Sequence, residues 1–221
     1  MKKIKLSPRT LSALTVFSIF TVYIGYAIFN IAYLILNESK KSNALGSYYL
    51  IIIKAVLGIV CITFPFIAEN KLKIKFPNYL FISYIAFIFS TIFLGEILHF
   101  YSLIHNWDII LHFLSGIIFS AFFCFFIKEK IPNLSMRYIL FFVFCFAVAS
   151  GAIWEIFEFS VDIIFGSNMQ RYALNTGTPL VGQAALKDTM TDLIMDTIGS
   201  LTFIIYNIFK KRIILKKKKQ S

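Results

Sequence analysis

The 221-residue sequence holds only three cysteines, Cys61, Cys124 and Cys145, and no two share a disulfide or zinc-ligand spacing. Each falls inside an apolar run, where a free thiol serves as a small packing group. The sequence lacks a serine-nucleophile motif, a phosphate-binding glycine loop and a haem-attachment signature, so the enzyme classes built on them recede. Acid is scarce as well: 11 Asp and Glu stand against 22 Lys and Arg, a formal net charge of +11. That excess does not indicate nucleic acid, because the bases gather at the termini and in two short loops and no basic groove-reading element is present. The opening MKKIKLSPRT looks superficially like a secretion signal. The apolar run at 11–36 is too long for one, however, and no small-residue cleavage site follows it.

What the sequence has in abundance is apolar surface. Hydrophobic residues make up 58% of it, with 26 Phe, and the mean hydropathy is +0.78. Such a composition belongs in a bilayer. The runs predict an all-α polytopic membrane protein, one transmembrane domain over 1–221 with no second domain and no internal repeat. Six spanning helices are expected at about 11–36, 48–68, 79–101, 107–127, 137–165 and 188–209, followed by a basic tail at 210–221. Lys54, in the second span, is close enough to one end to snorkel.

Topology follows from the bases. Lys2, Lys3, Lys5 and Arg9, then Lys71, Lys73 and Lys75, then Lys128, Lys130 and Arg137, and finally the tail fall on one side of a six-span chain. The other connections carry only Lys40, Lys41, Arg171 and Lys187. The positive-inside rule therefore predicts both termini in the cytoplasm. The tail is read as an orientation signal, with contact to anionic lipid as a second use.

Against that apolar background, SGAIWEIFEFSVD at 150–162 stands out. Glu155, Glu158 and Asp162 lie at i, i+3 and i+7, one face of a helix, and carboxylates at such depth rarely face lipid. With this topology they join Glu96 and His99 near the end of the third span and His105, Asp108 and His112 around the start of the fourth. Asp188, Asp192 and Asp196 begin the sixth. Eight of the eleven acids and all three histidines thus fall in the outer half of the membrane. Asp108 and His112 are i, i+4, and the three aspartates of the last span form an i, i+4, i+8 stripe about 12 Å long. Small residues stand beside them: Gly95, Ser115, Gly116, Ser150, Gly151, Gly199 and Ser200, which permit close helix approach. The expected picture is four helices around a polar pocket open to the outside.

Crowded carboxylates need protons or cations among them. Mixed carboxylate and imidazole ligands suit Mn, Fe or Zn, carboxylates with water suit Mg or Ca, and Glu96-x-x-His99 has a spacing found in dinuclear carboxylate sites. The candidate metal ligands are Glu96, His99, Asp108, His112, Glu155, Glu158, Asp188, Asp192 and Asp196, for a divalent ion of unassigned identity. Simpler roles compete at several positions. Asp188 suits a helix N-cap, Asp162 an interfacial acid and His105 a loop histidine, while Tyr101, Trp107 and Tyr172 suit aromatic anchors at the membrane surface.

The pieces WDIILHFLSG (107–116), GAIWEIFEFSVD (151–162) and DTMTDLIMDTIGSL (188–201), with Gln183 before the last, resemble the YjdF-type family of small inner-membrane proteins. The resemblance implies a bacterial cytoplasmic membrane location and a shared site, and no activity. The order of an acid-x-x-x-His, a mid-helix Glu and an acid-rich helix ending in Gly is similar, more distantly, to VanZ-like proteins, although their Glu-x-x-Gln is missing here. Three functions fit the residues. One is a metal-dependent enzyme acting on a lipid or lipid-linked substrate, with Glu155 or Asp192 as general base and His112 as ligand or proton shuttle. The second is a cation or proton transporter, and the third a non-catalytic membrane protein with a structural ion.

Overall fold

A chain in lipid must satisfy its backbone amides internally, and helices do so segment by segment. The computed structural model describes residues 6–36, 43–174 and 176–220, with side chains described for all of these except 43, 44 and 214–220. Among the described residues the chain is all-helical. Its elements are α1 (Pro8–Leu36), α2 (Asn43–Leu72), α3 (Asn78–Ile88) continuing as a π-helix (Phe89–Ile97), the short α4 (Phe100–Leu103), α5 (Trp107–Lys130), α6 (Met136–Phe165) and α7 (Gln183–Gln220). Six of its helical segments are long and apolar enough to cross a membrane. Lys2, Lys3, Lys5, Lys40 and Lys41, which carry part of the expected topology, lie outside the described residues.

Several helix ends depart from expectation. The last helix starts at Gln183 and not near Asp188. Gly182 takes a positive φ of 60° just before it, and Gln-Ala-Ala-Leu-Lys are all good helix formers. At its other end α7 runs on through the basic tail, since Lys and Arg favour both helix interiors and helix C-termini. The third span is not one regular helix. It widens into π-turns, with the Leu98 amide donating to the Phe93 carbonyl at 2.9 Å, and ends where His99 adopts a left-handed conformation, φ 59°.

The chain folds as two compact units, one ending at Trp107 and one beginning at Asp108. In the first, α1, α2, α3 and the π-helix enclose Phe20, Ala55, Phe81, Ile85 and Phe93. Gly58 leaves room for the Phe20 ring, which a side chain there would strike. Among the described residues, two ion pairs tie this unit. Arg9, counted among the topology-setting bases, is buried: it pairs with Glu69 at 2.6 Å, donates to the Phe76 carbonyl at 3.2 Å and covers the Phe81 ring at 4.3 Å. Lys54 does not merely snorkel; its Nζ meets Glu96 Oε2 at 2.7 Å.

In the second unit α5, α6 and α7 carry polar stripes on their buried faces. On α6 that face reads Gly151, Glu155, Glu158 and Asp162, whereas Ile153, Ile156, Phe159 and Ile163 are exposed. Apolar outside and acidic inside is the arrangement a lipid solvent selects. Close helix approach makes it feasible. A Cβ at Gly116 would collide with the Asp196 carbonyl, one at Gly199 with the Phe113 carbonyl, and one at Gly151 with the Asp196 carboxylate. Towards the other end of the unit, Cys124, Ile127, Ile139 and Val143 form an apolar core, flanked by Phe123 and Phe146 stacked at 4.1 Å. Cys124 is the buried thiol expected, but Cys145 is exposed.

Candidate functional site

His112 stands on α5 one turn after Asp108 and faces α7. Its Nδ1 lies 3.2 Å from Asp196 Oδ2. An ionised carboxylate only accepts hydrogen bonds, so towards Asp196 it is Nδ1 that donates, which leaves the other ring nitrogen, Nε2, to the remaining acids. That Nε2 is 3.7 Å from Asp108 Oδ1 and 3.9 Å from Asp192 Oδ2. Ligand atoms of Asp108, His112 and Asp192 all lie within 4.8 Å of one another. Asp196 is fixed from its second side, because the Ser115 hydroxyl donates to its Oδ1. Asp192 and Asp196 are each only 2% exposed, and His112 8%, so all three are held by protein and not by bulk water.

The loop between α6 and α7 closes over this group. It is built on Asp162, whose carboxylate accepts the Ser167 hydroxyl at 2.5 Å and the backbone amides of Met169 at 2.7 Å and Gln170 at 3.0 Å. Gly166, with φ 63°, ends α6 and turns the chain so that these donors face back. Asp162 is thus an organiser of the loop, neither a free interfacial acid nor a wall of the pocket. Held this way, Arg171 reaches Asp108 Oδ2 at 3.1 Å and Asp188 Oδ1 at 3.2 Å. Asp188 is therefore a partner of Arg171 in the second turn of α7 and not the N-cap. Gln170 donates to Thr189 Oγ1 at 2.9 Å and, more weakly, to Glu155 Oε2 at 3.5 Å.

The two glutamates of α6 lie within electrostatic reach of Asp108 and His112. Glu158 accepts the indole N–H of Trp154 at 2.8 Å. Glu155 is 5% exposed, and its Oε1 has no hydrogen-bond partner among the described residues; nor does Asp188 Oδ2. Six carboxylates (Asp108, Glu155, Glu158, Asp188, Asp192 and Asp196) face one guanidinium and one imidazole. Such a set demands further positive charge or protons. Ligands sharing one tetrahedral ion at about 2.1 Å lie about 3.4 Å apart, so the separations of 3.7 and 3.9 Å from His112 Nε2 would close by a few tenths of an ångström on binding.

Residues 19–212 match the family DUF2238, described as a predicted membrane protein. The chain belongs to that family. An "Uncharacterized protein" of Thermotoga maritima is 31% identical over 150 residues, covering 64% of this chain and 69% of the relative. No solved structure matches. The DUF2238 match takes in all the site residues on α5, α6 and α7.

Two of the expected ligands, Glu96 and His99, belong to the first unit. Within the first unit Glu96 pairs with Lys54, and His99, exposed and left-handed, uses its carbonyl to accept the amides of Ser102 and Leu103. The two are not an i, i+3 helical pair, because the helix ends between them. His105 is an exposed turn residue, as its sequence context suggested. Two contributors escaped the sequence reading. Gln170 is one polar residue in a polar loop and carries no periodic signal. Trp154 sits i, i+4 before Glu158, a relation visible in the sequence once Glu158 is given a buried face.

Proposed function

We propose that this protein is a membrane-embedded, metal-dependent enzyme acting on a lipid or lipid-linked substrate, centred on His112 and the acids of α5, α6 and α7. The observation that carries the reading is the convergence of His112 Nε2 with Asp108 and Asp192 while Asp196 holds the opposite ring nitrogen. A carboxylate on the far nitrogen of a ligating histidine fixes its tautomer and raises its basicity. One imidazole and two carboxylates suit Mn, Fe or Zn. A bound ion there would polarise a phosphoryl or acyl oxygen or activate water. Asp108, His112 and Asp192 would hold it, with Asp196 orienting His112 and Ser115 anchoring Asp196. Glu155, buried with a free Oε1, is the general base that takes the proton from the attacking hydroxyl or water. Arg171 at the mouth supplies the positive charge to orient an anionic substrate group.

A closed pocket fits this reading better than a through-path. Beyond Asp196 the buried polar contacts continue to the Ser120–Ser200 hydrogen bond of 2.8 Å, and then meet the apolar cluster of Cys124, Ile127, Ile139 and Val143. The acids also lie at the end of α5, α6 and α7 opposite to Lys128, Lys130, Arg137, Lys210, Lys211 and Arg212. With the positive-inside rule this supports a bacterial cytoplasmic membrane protein, both termini inside, whose site opens to the extracytoplasmic face.

The test is metal content of the purified full chain after growth with Mn, Fe and Zn supplied. The wild type should carry close to one equivalent. Asp192→Asn and His112→Ala should fall below a tenth of that, while Glu155→Gln keeps it. A wild type that holds no ion overturns the proposal in favour of a metal-free network, a reading the Arg171 bridge between Asp108 and Asp188 favours.

A further inference from the structure

At the end of the second unit opposite the acids, α6 and α7 leave between them a groove of about 510 Å³. Its walls are apolar: Leu140 and Phe144 from α6, and Leu201, Ile204 and Ile208 from α7. Its rim is basic, formed by Arg137, Lys211 and Arg212. None of these three bases forms an ion pair among the described residues. From Leu201 to Lys211 the groove follows α7 for about 15 Å. That is half of a hydrocarbon core about 30 Å thick, the depth of one leaflet.

We infer that this groove is a binding site for one anionic phospholipid of the bilayer, with an acyl chain along Phe144 and Ile204 and the phosphate at Arg137, Lys211 and Arg212. Charge complementarity selects this occupant. A second helix or a second copy of the chain would satisfy the apolar walls but would leave the three rim cations without a counter-charge. A zwitterionic lipid would satisfy the walls and bring its own cation to that rim. Basic pockets between spanning helices are suited to anionic headgroups, because the headgroup charge is offset where the acyl chain is buried. Arg137 and Arg212 add directed donors for phosphate oxygens, a geometry a single lysine does not supply. The site lies on other residues than the acid centre and does not depend on the function proposed for it.

The experiment compares lipid retention by the purified full chain, measured by native mass spectrometry after exchange into phosphatidylglycerol or phosphatidylcholine. The wild type should retain one phosphatidylglycerol with at least a tenfold preference. The variant Arg137→Gln/Lys211→Gln/Arg212→Gln should lose that preference. Lys71→Gln/Lys73→Gln/Lys75→Gln removes the same charge from exposed positions of the first unit and should keep it. Ile204→Trp, which fills the groove, should lower retention several-fold without touching the rim. Equal loss of preference in both triple variants would reduce the effect to general electrostatics and overturn the site. So would its persistence in the rim variant, or a dimer cross-linked, in a background without the native cysteines, through Phe141→Cys in the groove wall.

Discussion

Asp196 grips His112 and Ser115 at once, receiving the ring N–H on one oxygen at 3.2 Å and the hydroxyl on the other. Its helix can come that close only because Gly116 offers no side chain to the Asp196 carbonyl. One residue of α7 thereby sets the position of one residue of α5.

Asp196→Asn should therefore weaken metal binding without abolishing it. An asparagine can still meet Nδ1, but the charge that makes the ring a good donor is lost. A loss of about 10–100-fold in affinity is expected, the usual scale for an orienting carboxylate. Ser115→Ala should cost less, since His112 keeps its partner. Titration of the apo protein with Zn or Mn reads both. An Asp196→Asn affinity equal to wild type would remove its orienting role.

Arg171→Gln should act in the opposite direction. Its guanidinium holds Asp108 Oδ2 and Asp188 Oδ1, and it repels any cation brought to the same acids. Taking it away should tighten cation binding, by up to about tenfold for a partly exposed charge worth on the order of 1 kcal/mol. Weaker binding in this variant, in the same titration, would mean that Arg171 supports the site mainly by holding the loop.

Two glycines separate packing from backbone flexibility. Gly116→Val forces a side chain against the α7 backbone, and overpacking of this kind costs about 1–3 kcal/mol. Gly25 lies in α1 with open space around it, so Gly25→Ala should stabilise by about 0.5–1 kcal/mol through helix propensity alone. Thermal unfolding in one detergent should move the two midpoints in opposite directions. A neutral Gly116→Val would show that α5 and α7 are not in backbone contact.

Orientation is checked by labelling. In a background without Cys61, Cys124 and Cys145, Val181→Cys in the exposed α6–α7 loop should react with a membrane-impermeant maleimide added to intact cells. Asn133→Cys, exposed between α5 and α6, should react only after the cells are opened. The reverse pattern would put the acids on the cytoplasmic side.

Much of this was legible without coordinates. Apolar runs of spanning length have few alternatives in a bilayer, so six helices followed from composition and run length. Carboxylates inside those runs had to face one another or protein, so the stripe Glu155, Glu158 and the stripe Asp188, Asp192, Asp196 pointed to a shared site from spacing alone. Periodicity says which side of a helix a residue occupies. It does not say which neighbour meets that side, or at what distance. Only the tertiary structure assigned Asp196 to His112, Arg171 to Asp108 and Asp188, and Lys54 to Glu96, because each pair joins positions far apart in the chain through the close approach of separate elements. Only it turned Asp162 from a member of the acidic stripe into the anchor of a loop. That reassignment depends on the left-handed turn at Gly166, which brings three donors back over one carboxylate, and no pattern of residue types along a helix encodes where the chain goes after the helix ends.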